Sequence, residues 1–228
     1  MVKGHTRKRE KVRKQMSDLL TLADLVEQGK HLEAARVTEE LLEEGIHPKK
    51  VLIEGLQKGM LVLGERFKRD ECFIPEVLLA ARAMSAGMDV LRPSLARSGS
   101  EPVAKIVLGT VKDDLHDLGK NMVGMMLEGS GFGVIDMGIN VPAERFIDAV
   151  ERENAPVLAM STLLSTTMPY LKTTIDALQS KGIRQGVKIL VGGAPVSEEY
   201  AREIGADGYA PDAARAVDEV KKLLSVSA

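Results

Sequence analysis

Tryptophan is absent from this 228-residue sequence, and Cys72 is its only cysteine. A single cysteine excludes an internal disulfide framework and fits a reducing compartment, so a cytoplasmic location is expected. No apolar run is long enough to span a bilayer, and none near the N-terminus resembles a signal peptide. Charge of either sign is almost balanced: 31 Lys and Arg stand against 33 Asp and Glu, a formal net charge of −2. Such a chain has no strong pull toward nucleic acid or anionic membrane, and neither is an expected partner. Aromatic residues make up 3% and histidines number four. Methionine, by contrast, is plentiful.

The exception to the charge balance is the start of the chain. Seven basic residues (Lys3, Arg7, Lys8, Arg9, Lys11, Arg13 and Lys14) face one acid, Glu10. With no aromatic or motif beside them, this arm of about residues 1–14 reads as a solvated helix start rather than a nucleic-acid contact.

Up to about Leu95 every periodic segment reads as helix. Leu19, Leu20, Leu22, Ala23, Leu25 and Val26 suit a first helix ending at Gly29, and Leu32, Ala35, Val37, Leu41 and Leu42 a second ending near Gly45. Leu52, Leu56, Met60, Leu63 and Phe67 form a third stripe; Val77, Ala81, Met84, Met88 and Leu91 form a fourth. Pro48 and Pro75 fit first-turn positions, where a missing N–H costs nothing. The expectation is a four-helix bundle over residues 1–95. Ser94 to Pro102 is small and polar and reads as a linker, with 96–102 as its core.

Beyond it, short apolar runs (Lys105–Gly109, Val134–Met137, Val157–Met160, Lys188–Val191, Gly208–Ala210) alternate with helical stretches. Five such alternations predict a doubly wound α/β domain over 103–228, Rossmann-like, with a five-stranded parallel sheet covered on both faces. Ligands of such folds bind at the carboxyl ends of the strands. That rule selects the loops to read: Gly109 to Asn121, Ser161 to Thr167, Gly192–Ala194 and Ala210–Asp212. The first is neither a dinucleotide fingerprint nor a P-loop, since nine residues separate Gly109 from Gly119 and Gly119-Lys120 is followed by Asn. It does carry His116 two residues after Asp114. A lone loop histidine is most often a polar surface residue. A carboxylate beside it changes the reading, because an Asp accepting Nδ1–H fixes the tautomer and frees Nε2 for a metal.

Asp114-Leu-His116-Asp-Leu-Gly119, Ser161-Thr-Leu163 and Gly192-Gly193 resemble the Asp-x-His-x-x-Gly, Ser-x-Leu and Gly-Gly signature of cobalamin-binding domains of the methionine synthase type. Forty-one residues separate Gly119 from Ser161 and twenty-eight separate Leu163 from Gly192, gaps that suit the family. Upstream, Gly59 to Phe67, Cys72 to Val77 and Ala80 to Met84 look like that family's helical cap. A free-standing cap plus carrier is similar to the corrinoid proteins of anaerobic methyltransferase systems.

The resemblance implies a cobalamin or related corrinoid bound base-off/His-on. His116 would be the lower ligand to cobalt, with Asp114 and Thr167 completing a hydrogen-bonded relay. Gly119, Ser161, Leu163, Gly192 and Gly193 would form the slot for the nucleotide tail, their glycines leaving room for it. Phe73 would present an aromatic ring to the upper face, with Ala80, Ala83 and Met84 as further contacts, and the linker would act as hinge. The implied role is methyl carrier rather than complete enzyme. A substrate-specific methyltransferase would load the cobalt from a methylamine, methanol, a quaternary amine or a methoxy compound. A second methyltransferase acting on a folate or a thiol would unload it, with a reductive activase as a further partner. The rival reading is a B12-dependent sensor or regulator, but those usually add a DNA-binding domain, for which this chain has no room, and often a cap Trp. An unrelated α/β enzyme or flavin module is the third reading, and colour on incubation with a corrinoid separates it.

Overall fold

The computed structural model describes the backbone of residues 2–98 and 101–226, with side chains from residue 14 onward except that of Ala96. Apart from Lys14, whose ammonium bonds Glu44 at 2.7 Å, the charged side chains of the basic arm lie outside the described residues. Two compact units meet between Glu101 and Pro102.

The N-terminal unit is helical: α1 (Val2–Glu27), α2 (His31–Glu43), α3 (Pro48–Val51), a π-helical stretch Leu52–Gln57, α4 (Lys58–Lys68) and α5 (Ile74–Ser98). Ala34, Val37, Thr38 and Leu41 of α2 are buried at spacings of three and one, the stripe an amphipathic helix needs. Val77, Ala81, Met84 and Leu91 are buried on α5 as the periodicity predicts. Its start is capped by Phe73 N–H bonding Glu76 Oε2 at 2.8 Å, and Pro75 takes a first-turn place.

One expectation needs correction. The composition of Ser94 to Ser98 predicts a linker, yet α5 runs through Pro93 to Ser98. Proline inside a helix removes one hydrogen bond and biases against continuation without forbidding it. Leu91 and Leu95 are both buried on one side of this continuing helix; Ser98 Oγ donates to Leu95 C=O at 2.9 Å, and Arg97 donates to Ser94 Oγ at 2.8 Å. Gly99 and Ser100, also within the expected linker, lie outside the described residues.

The second unit is the α/β domain. Strands β1 (Lys105–Thr110), β2 (Gly133–Asp136), β3 (Val157–Ser161), β4 (Lys188–Gly192) and β5 (Gly208–Ala210) form one parallel sheet in the order β2-β1-β3-β4-β5. Helices α6 (Leu118–Gly129), α7 (Ala143–Glu153), α8 (Pro169–Ser180), α9 (Glu198–Glu203) and α10 (Ala213–Leu223) alternate with the strands. β1 and β3 are buried along nearly their whole length, which is why both read as continuous Val, Leu, Ile, Ala and Met runs. After β1 the chain crosses to one side of the sheet, and after β3 to the other. The loops leaving these neighbouring strands therefore diverge and open a crevice between them. Among the described residues, no helix is long and apolar enough to cross a membrane.

Phe146 of α7 locks this architecture against the sheet. It is fully buried, and a Cβ on Gly109 of β1 would stand 2.6 Å from its ring. Phe146→Ala is expected to lower stability by about 3–5 kcal/mol, measured by urea denaturation. A loss below about 1 kcal/mol would contradict a close-packed ring at this place.

Candidate functional site

The crevice between the β1 and β3 loops is organised around one buried carboxylate. Asp114 has no exposed surface, whereas the His116 side chain two residues on is 50% exposed. Asp114 Oδ1 accepts the His116 backbone N–H at 3.0 Å and lies 2.8 Å from His116 Nδ1. Its other oxygen reaches across to the β3 loop. Oδ2 accepts Leu163 N–H at 2.6 Å and lies 3.1 Å from Thr162 Oγ1 and 3.0 Å from Thr167 Oγ1. The two hydroxyls are themselves 2.6 Å apart, and either can donate to the other.

Burial by itself would raise the Asp114 pKa. The bonds from Leu163 and His116 N–H, from the His116 ring and from Thr167 outweigh it, and the carboxyl is held well below its ordinary value of 3.8. An ionised Asp114 requires Nδ1 of His116 to be the donor. In the neutral imidazole Nε2 is then the nitrogen with the lone pair, and it has no hydrogen-bond partner among the described residues. Thr110 Oγ1 fixes the loop further by donating to His116 C=O at 2.9 Å.

The structure therefore brings Asp114, His116 and Thr167 into one hydrogen-bonded chain. Ser161 ends β3 half-buried, and its C=O accepts Val111 N–H at 3.0 Å. Leu163 is exposed while its backbone serves Asp114. Gly119 lies in the first turn of α6, where an added Cβ would meet nothing within 4 Å. Asp117 precedes that helix without capping it; its carboxylate instead accepts Asn121 Nδ2 at 3.2 Å.

Gly192-Gly193 has a packing reason beside the expected ligand slot. A Cβ on Gly192 would stand 2.7 Å from Ala210 C=O oxygen, and one on Gly193, whose φ is +127°, would stand 1.7 Å from Thr162 C=O oxygen. Close approach of three backbones demands these glycines whatever ligand lies beyond. Phe73 belongs to the helical unit and is 69% exposed at the start of α5. Ala80, Ala83 and Met84, expected beside it as further contacts, are buried instead, because α5 turns that side inward.

Sequence reasoning missed two features. Thr162 is the unspecified middle residue of Ser-x-Leu, yet it is fully buried and shares Asp114 Oδ2 with Thr167. A hydroxyl residue directly after a buried strand was the available signal. The second feature is apolar: Leu115, Ile139, Leu163 and Leu164 on loops, with Leu118 at the first residue of α6, all stand exposed at the same end of the sheet as His116. Exposed aliphatic side chains gathered on such loops fit a large, mostly apolar ligand. Among the described residues no group of three or more His, Cys, Asp or Glu side chains is arranged to hold a metal ion. One free imidazole nitrogen within apolar surroundings suits a metal that arrives inside its own macrocycle, lacking only an axial ligand.

Comparison with known proteins gives the family to which the chain is similar. A family described as a B12 binding domain matches residues 104–218, and a second so described matches residues 19–92. A corrinoid protein of Desulfitobacterium hafniense is 39% identical over 212 residues, covering 92% of this chain and 98% of that one. Dimethylamine corrinoid protein 1 of Methanosarcina acetivorans is 39% identical over 181 residues, 79% of this chain and 85% of that one. The crystal structure of the methanol:cobalamin methyltransferase complex from Methanosarcina barkeri matches with a TM-score of 0.82 and 26% identity, covering 92% of this chain and 81% of the matched chain.

The depressed Asp114 pKa sets a pH dependence. The unfolded chain takes up a proton here at a higher pH than the folded chain does. The stabilisation is therefore complete above the ordinary carboxylate range and fades as pH falls through and below it. Asp114→Asn is expected to be less stable than wild type at pH 7, with the gap narrowing below about pH 4 in denaturation series. A gap that stays constant to pH 3 would contradict the assignment.

Proposed function

Because this chain belongs to the family of B12-binding corrinoid proteins, we propose that it is a methyl carrier whose corrinoid is held with His116 as the lower ligand to cobalt. When bound, the corrinoid supplies a metal centre able to take up and release a methyl group. The observation that carries the reading is the half-exposed imidazole whose Nδ1 is tied to a buried carboxylate while Nε2 stays free.

The protein's own part is to orient and to hold charge. Asp114 fixes the tautomer and the ring direction, and raises the donor strength of Nε2. Thr162 and Thr167 hold the far oxygen of Asp114, so the carboxylate cannot swing away from the ring. Nε2 would be the ring atom offered to the metal, with the Asp114 carboxylate held against the opposite ring nitrogen. The nucleotide tail of a base-off corrinoid would pass Gly119, where the backbone faces open space, and lie against Ser161 and Leu163. Phe73 remains the helical unit's proposed contribution to cofactor binding.

Relatives named for dimethylamine and methanol systems support the carrier role. On this reading the chain is a carrier subunit, and completes no reaction alone. It requires a donor-specific methyltransferase, a second methyltransferase acting on a folate or a thiol, and a reductive activase. Boundaries of 1–95, 96–102 and 103–228 for cap, linker and carrier, as read from the sequence, are part of the same proposal, with the described helix extending the first to Ser98.

Reconstitution with hydroxocobalamin should give a coloured protein. In the Co(II) state, electron paramagnetic resonance of protein grown on heavy-nitrogen histidine should show a splitting that changes with the label. His116→Ala should retain corrinoid and lose that label-sensitive splitting; its persistence in the variant would remove His116 as ligand. Methylation by one member of a panel of methylamines, methanol, quaternary amines and methoxy compounds, each with its methyltransferase, tests the carrier role, which fails if none reacts. For the tail slot, Gly119→Leu should leave the stability of cofactor-free protein within about 0.5 kcal/mol of wild type. It should weaken corrinoid binding by about tenfold or more in spectroscopic titration, about 1.4 kcal/mol. Unchanged affinity would place the tail elsewhere.

A further inference from the structure

A second set of contacts, outside the Asp114 cluster, holds the same loop. Asp113 adopts φ +63°, a left-handed conformation uncommon for a residue with a side chain. Its N–H bonds Asn140 Oδ1 at 2.8 Å, and Asn140, itself at φ +52°, returns its N–H to Asp114 C=O at 3.0 Å. The β2–α7 loop is thereby clipped to the β1–α6 loop on both sides of the Asp113–Asp114 peptide. The Asp113 carboxylate turns the opposite way and accepts the Tyr170 phenol at 2.6 Å. Lys112 places its ammonium over the face of the same ring, 5.6 Å from the centroid. Two consecutive loop residues thus grip one tyrosine.

Tyr170 is a firm anchor. Its ring packs against the hydrophobic core of the α/β unit, and its backbone N–H bonds Thr167 C=O at 3.1 Å. Thr167 in turn reaches Asp114 Oδ2 through its hydroxyl. A closed circuit results: Asp113 to Tyr170, Tyr170 to Thr167, Thr167 to Asp114, and Asp114 back to Asp113 through the peptide bond. A hydrogen-bonded ring of this kind fixes the spacing of its two loops more stiffly than any single bond in it.

We infer that the Tyr170–Asp113 pair is a latch that sets the position of the His116 loop, making Tyr170 a positioning residue for the lower ligand. The inference rests on the proposed ligand role of His116. It goes beyond that role by assigning work to residues that touch neither the imidazole nor its carboxylate through their side chains.

Tyr170→Phe keeps the packed ring and removes only the hydroxyl. Hydrogen–deuterium exchange of the cofactor-free protein should show amides of residues 112–116 opening faster by about tenfold. In the reconstituted protein, the fraction of Co(II) carrying a histidine nitrogen should fall while corrinoid content is unchanged. Asp113→Gly, which accepts a positive φ without strain, should reproduce both effects, and the double variant should add nothing to either single one. Asp113→Asn keeps an acceptor for the phenol and tolerates the same backbone, so it should behave as wild type. Unchanged exchange and unchanged ligation in Tyr170→Phe would overturn the latch. If instead wild type lacked a histidine-derived splitting while Tyr170→Phe still sped exchange, the ligand reading would fall and the latch would stand as a restraint on the loop.

Discussion

A carboxylate withdrawn entirely from water is stable only when its oxygens are filled by donors, and Asp114 meets that condition with groups from two loops. One oxygen serves the β1 loop, the other the β3 loop. The ion therefore acts as a strut across the crevice as well as a partner for the imidazole. Removing the charge would leave buried donors facing too few acceptors, which is why the residue cannot be treated as a histidine accessory alone. Every other feature of the site either supplies a donor to this ion or is placed by one that does.

Sheet order explains why these two loops meet. With β1 flanked by β2 and β3, the chain departs in opposite directions from adjacent strand ends, and the gap is a property of the topology. Gly193 then brings the β4 loop against Thr162 C=O, and Asn140 brings in the β2 loop. Four of the five strand ends thus contribute to one rigid rim. Around it stand exposed leucines and one ring nitrogen without a hydrogen-bond partner among the described residues.

The strands were legible because both faces of a parallel sheet are covered, so β1 and β3 appear as unbroken apolar runs. The Asp-x-His element was legible because one of only four histidines falls beside an acid in the loop after a strand. Less was readable where meaning lies in three-dimensional proximity. Thr162 looks like any strand-end threonine until its hydroxyl is seen beside a carboxylate 48 positions away in sequence. Asp113 carries no local mark of a positive φ, and its link to Tyr170 spans 57 positions. The helix through Pro93 was hidden for the opposite reason: local composition argues for a break, while Leu91 and Leu95 on either side of the proline are both buried by packing. The glycines at 192 and 193 stand out by their place in the chain, but the backbone neighbours that also require them are visible only in the fold.

The paired threonine hydroxyls have a consequence of their own. Two rotatable O–H groups face a choice of acceptors: Asp114 Oδ2, each other, and Leu164 C=O, which lies 3.0 Å from Thr167 Oγ1 and 3.4 Å from Thr162 Oγ1. Switching among these patterns needs only torsion of hydrogens, a picosecond-to-nanosecond motion, with no heavy atom displaced. A rigid scaffold thus contains a small, fast dipolar element directly behind its carboxylate, able to reorient without the fold having to yield.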